Sequence, residues 1–194
     1  MTGRVHNRRI RIGWIDAKKF TVPRADGSGA AATAGQMQFT AKEDISAPID
    51  TVFDAVTDFA TFERALMRRG VEVARTDSLT EPGVGMCWDS RFYFRGKQRE
   101  VTAELRRIDR PERLELAIES AGLHGVLTFE LVQLSPRQTR MQVTLVLKPH
   151  NLPGRLLIQS MKLAKGSLLK QYRKGVRKFA HELESRLGGG ARRA

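Results

Sequence analysis

Three side chains able to hold or move a proton stand in otherwise apolar phases of this 194-residue chain: Glu43, Arg99 and Tyr172. A carboxylate, a guanidinium and a phenol can orient a polar group or assist acid-base chemistry, but no spacing rule joins these three into one unit. Ser90, between Trp88 and Phe92, adds a hydroxyl among aromatic rings. The four histidines, His6, His124, His150 and His181, lack the H-x-x-x-H or H-E-x-x-H spacing that gathers imidazoles on a metal, so no metal site is expected. Cys87 is the one cysteine; it excludes an intramolecular disulfide, and with no base indicated beside it, it reads as a structural thiol rather than a nucleophile. Gly83-Val-Gly85 lacks the third glycine and the helix of a dinucleotide loop, and Gly188-Gly-Gly190 follows a helix instead of opening one. No cofactor is expected.

The elements that must position these groups follow from hydrophobic period. Met37, Phe39, Ala41, Ile45 and Ala47 share one phase of a two-residue alternation that Glu43 interrupts, which predicts a half-buried strand. Pro48 and Asp50 then suit a helix start, with Ile49, Val52, Phe53 and Val56 at helical spacing, and Asp58 can cap a second short helix carrying Phe59, Phe62 and Leu66. From Val71 to Lys148 the chain reads as six strands divided by turn signals, an antiparallel meander. Ser90 shares the phase of Trp88, Phe92 and Phe94, and Arg99 that of Val101 and Ala103. One face of such a sheet needs a cover. The one element long enough runs from Pro153 to Leu187, with Leu157, Met161, Ala164, Leu168, Tyr172, Gly175, Phe179 and Leu183 recurring every three or four residues. An unbroken helix of that length would span about 50 Å against a domain diameter of about 40 Å, so it must overhang, start later or kink, and Gly166 is the expected kink.

The formal net charge is +13, which invites a nucleic-acid or anionic-membrane reading. Its distribution weakens the first. Residues 1–35 carry seven basic and two acidic side chains, residues 36–147 carry 15 and 17, and residues 148–194 carry 12 and two. The expected organisation is a flexible basic arm and linker over 1–35, one folded domain over 36–187 and a disordered basic tail over 188–194. The chain has no stretch of 18 apolar residues to span a bilayer and no apolar signal segment opens it, so a cytoplasmic location is expected.

The stretch Ile45-Ser-Ala-Pro-Ile-Asp-Thr-Val-Phe-Asp-Ala-Val-Thr-Asp-Phe59, followed by the strand meander and the long helix, resembles the START-like superfamily of polyketide cyclases and lipid-transport proteins. That resemblance implies an α+β helix-grip fold over residues 37–187: a curved antiparallel sheet of about seven strands wrapped around a long C-terminal helix, with two short helices after the first strand. It also implies an elongated cavity for an apolar or amphipathic small molecule.

The polar groups in inward phases fit such a lining. Glu43 either sits near a strand end and reaches water or faces the pocket, alone or paired with Arg99. Ser90 is either a satisfied core hydroxyl or part of the lining, and Trp88 and Phe92 either core or ligand platform, with Phe94 continuing their phase. Tyr172 carries a phenol that needs a partner, Met161, Leu168 and Phe179 flank it on the helix, and Gly175 leaves room for a ligand or strand to approach the backbone.

The expected function is a carrier or sensor of a lipid- or polyketide-like molecule. A cyclase or dehydrase using Glu43, Arg99 and Tyr172 is the alternative, and an RNA- or ribosome-associated module a further one. The latter shares Val52-Phe53 and Asp58-Phe59 with coenzyme Q-binding relatives, but the chain continues as Glu63-Arg-Ala-Leu-Met without their proline-bracketed aromatics. Lys162, Lys170, Arg173, Lys174 and Arg177 fall on the polar back of the helix, so anionic membrane contact through that face and the arm is expected ahead of nucleic acid, which would want interleaved aromatics.

Overall fold

Alternation from Met37 builds β1 (Met37–Ile45), with Met37, Phe39, Ala41 and Ile45 each no more than 5% exposed. In the computed structural model, which describes residues 35–94 and 96–190, β1 turns at Ala47 into α1 (Ile49–Val56) and α2 (Phe59–Met67). Thr139 fixes that corner by donating its buried hydroxyl to the Ala47 carbonyl at 2.8 Å. Asp58 caps α2, its carboxylate accepting from the Thr61 amide at 3.1 Å.

The chain has by then crossed to the far edge of the sheet. Six strands return from there: β2 (Glu72–Arg75), β3 (Cys87–Phe94), β4 (Lys97–Asp109), β5 (Arg113–Ser120), β6 (Leu123–Ser135) and β7 (Gln138–Pro149). The spatial order is β1-β7-β6-β5-β4-β3-β2, with every pair antiparallel, so the first strand closes against the last. The seven-stranded sheet and two early helices meet the helix-grip expectation.

The C-terminal helix is broken where length required it. The α3 helix (Leu152–Leu163) and α4 (Lys165–Gly190) meet at Ala164, whose φ of −98° and ψ of 14° depart from helical values, two residues before the expected Gly166. The 26 residues of α4 span about 39 Å, close to the diameter that an unbroken helix would have exceeded. It continues through Gly188 to Gly190, beyond the expected stop, since glycine weakens a helix by about 1 kcal/mol without forbidding it. Of the arm and linker expected over 1–35 and the tail expected over 188–194, residues 1–34 and 191–194 lie outside the described residues.

Apolar burial gathers at two ends of the inner face. One cluster joins α1, α2 and the far half of α4 to Leu105, Leu114, Leu131 and Met141. The other joins Met37, Phe39, Leu123 and Ile158 under α3.

Candidate ligand site

The cross-strand register sets Leu105, Leu116, Leu127, Leu145 and Phe39 in one row across β4, β5, β6, β7 and β1. The ends of the row are buried, Leu105 at 0% and Phe39 at 5%, while the three leucines in its middle are only half-buried. Val126 and Thr128, flanking Leu127 on the other face, are each 4% exposed and better covered than it. A dry core packs most tightly at its centre. Here α4 lies chiefly along β1, while Leu116, Leu127 and Phe129 pack, only partly buried, against the first cluster and Leu145 against the second.

Tyr172 of α4 touches both clusters, its ring 5.6 Å from that of Phe39. Its hydroxyl is buried and has no hydrogen-bond partner among the described residues. Burial pushes the phenol well above its ordinary value of 10.0, so it stays neutral and can donate one hydrogen bond or accept. Leu168 and Met161 lie beside it against the second cluster, and Phe179, further along α4, sits 5.1 Å from Phe62 and 6.3 Å from Phe129.

The remaining candidates are dispersed by the strand order. Trp88 is 6% exposed, packs its ring 5.1 Å from that of Phe59 at a tilt of 50° and donates its indole N–H to Glu63 Oε1 at 2.7 Å, which makes it part of the core. Ser90 lies opposite Val73 and Val101, and Phe92 opposite Arg99; all three of Ser90, Phe92 and Arg99 are half-buried towards the β3–β4 turn. The side chain of Phe94 lies outside the described residues.

Two expectations are corrected. Arg99 does not pair with Glu43: β4 lies four strands from β1, about 19 Å along the sheet. Glu43 instead meets Arg177 of α4 at 3.3 Å, an ion pair at the rim. Gly175 is exposed, with nothing within 4 Å of where a Cβ would stand, so no strand approaches it. It sits on the flank of the α4 face whose centre is held by Tyr172, Val176 and Leu183.

Hydrophobic phase puts Leu116, Leu127, Leu145 and Phe129 on one face of their strands, but phase reports which face a residue takes and not how far away the cover stands. Glu63 as the indole partner had no signal beyond its own charge. An open cleft of about 540 Å³, whose lining does not include Tyr172, lies beneath α3. Among the described residues no cluster of three or more metal-ligating side chains occurs.

A family model described as polyketide cyclase / dehydrase and lipid transport matches residues 36–184. No curated protein sequence matches. Among solved structures, TTHA0849 from Thermus thermophilus is similar with a TM-score of 0.58 at 16% identity, covering 77% of this chain and 98% of that one. Norcoclaurine synthase from Thalictrum flavum gives 0.57 at 10% identity, with 78% and 86% covered. The Zhui aromatase/cyclase from Streptomyces sp. R1128 gives 0.56 at 11%, with 78% and 96% covered. At such identities these likenesses show the fold alone.

Proposed function

Because the chain belongs to the polyketide cyclase / dehydrase and lipid transport family, we propose that it is a carrier or sensor that holds one apolar or amphipathic small molecule, lipid- or polyketide-like, between the sheet and α4. The observation that carries this reading is the half-covered row Leu116, Leu127 and Leu145 beside the buried, unpartnered hydroxyl of Tyr172. The apolar body of the molecule lies on the leucines, Phe129, Leu168 and Met161, and a single polar group hydrogen-bonds the phenol. Phe92, Ser90 and Arg99 contact only a molecule long enough to reach β3 and β4.

Carriage is favoured over catalysis by the state of the groups a cyclase would need. Glu43 is engaged by Arg177, Arg99 is four strands away, and the phenol is held neutral, which suits a fixed hydrogen bond better than base catalysis. Titration with a panel of fatty acids, isoprenoids and polycyclic polyketides, read by calorimetry, tests the proposal. One member or class binds at 1:1 and loses affinity in Tyr172→Phe; absence of binding across the panel counts against it.

A further inference from the structure

The basic back of α4 is charged but carries no apolar stripe to enter a bilayer. An exposed apolar stripe lies on α3. Leu152, Leu156 and Leu163 of α3 are 69%, 59% and 93% exposed. At about 100° per residue they fall within an arc of about 40°, on a helix whose buried face is made by Gly154 and Ile158. The flank of the leucine stripe is cationic. Arg155 and Lys162, both exposed, line the open cleft of about 540 Å³ together with Lys148 and the amides of Gln36 and Gln159. The α3 helix itself carries no Asp or Glu; across the sheet, Glu119 stands in register with His124, which stands beside Lys148.

We propose that α3 and the cleft beneath it form a docking surface for a bilayer containing anionic phospholipid. The leucines enter the acyl boundary, and Arg155 and Lys162 meet headgroup phosphates, one of which occupies the cleft. Charge selects this occupant over the others. A second copy of α3 presents the same sign of charge and is repelled. Nucleic-acid phosphates match the cations but leave three leucines in water. The docking needs no cargo, so it stands or falls separately from the carrier reading.

The test is flotation of the full chain with vesicles of phosphatidylcholine alone and of phosphatidylcholine mixed with phosphatidylglycerol. The wild type floats with the mixed vesicles and not with the neutral ones. Leu156→Asp and Leu163→Asp each weaken partitioning about tenfold with an unchanged melting curve, because each removes one leucine from the acyl boundary. Arg155→Glu and Lys162→Glu each weaken it at least about fivefold, and Lys170→Glu on the back of α4 changes it less. Equal flotation with both vesicles, or full binding by Leu163→Asp, overturns the proposal, as does binding of soluble glycerol phosphate or of an acidic protein without vesicle binding. Leu163, the most exposed of the three, decides the matter should Leu156→Asp perturb the fold.

Discussion

Gly122 and Gly154 meet backbone to backbone: a Cβ on Gly154 would stand 1.9 Å from the Gly122 carbonyl oxygen. This contact seats the first turn of α3 on the β5–β6 turn, where Gly122 adopts a φ of +101° that favours glycine. Asn151 caps the same turn by accepting from the Gly154 amide at 2.8 Å, and His150 accepts from the Gly122 amide at 3.1 Å. Gly154→Ala therefore forces the helix away from the sheet. The expected loss is about 2 kcal/mol or more of stability, measured by chemical denaturation, with faster amide exchange confined to 152–163.

Removing the Tyr172 hydroxyl separates binding from stability. In Tyr172→Phe the empty protein loses a buried, unpartnered polar atom, so its stability is unchanged or rises by about 1 kcal/mol. Affinity for the bound molecule falls two- to tenfold, the worth of one hydrogen bond. The raised phenol also fixes a sign. Stability is fully present below pH 10 and falls as the pH rises above the unfolded phenol's value, and alkaline unfolding of Tyr172→Phe is shifted to higher pH.

Trp88 and Glu63 give an optical readout of the first cluster. Glu63→Ala leaves the indole N–H without its 2.7 Å acceptor in a residue 6% exposed, costing about 1–3 kcal/mol. Emission of Trp88 moves to the red as water takes the place of the carboxylate; Trp14→Phe as background isolates the signal.

Asp77 links the β2–β3 loop to acid. Its carboxylate accepts from Arg75 and from the amides of Cys87 and Leu79, each at 2.8 Å, and lies well below the ordinary value of 3.8, with the Arg75 bond as the largest cause. Because the folded value is lowered, the stabilisation is complete above pH 3.8 and is lost as the pH falls below it. Asp77→Asn abolishes that part of the acid dependence and lowers stability at neutral pH, as seen in denaturation midpoints across an acid series.

Most of the fold was legible because it is written in periods and caps: Met37 to Ile45 alternate, Asp58 caps α2, and the excessive length of the C-terminal helix demanded the break found at Ala164. The site was legible only in Tyr172, a polar group on an apolar helical face. Leu127 and Leu114 share a phase and differ in what stands over them, a distance the sequence does not encode. Glu43 was assigned no helix partner because Arg177 lies 134 residues away in the chain. The leucine stripe of α3 was hidden for another reason. Leu156 and Leu157 are adjacent, and period alone assigned the inward face to Leu157 without asking what covers Leu156.

The proposed ligand site at Tyr172 is most directly tested by native mass spectrometry of the protein purified from its own source. A 1:1 complex with an apolar small molecule is expected, lost on gentle activation and carried in smaller amount by Tyr172→Phe. Protein that is repeatedly empty, and that takes up no member of the lipid and polyketide panel when offered it, would contradict the account.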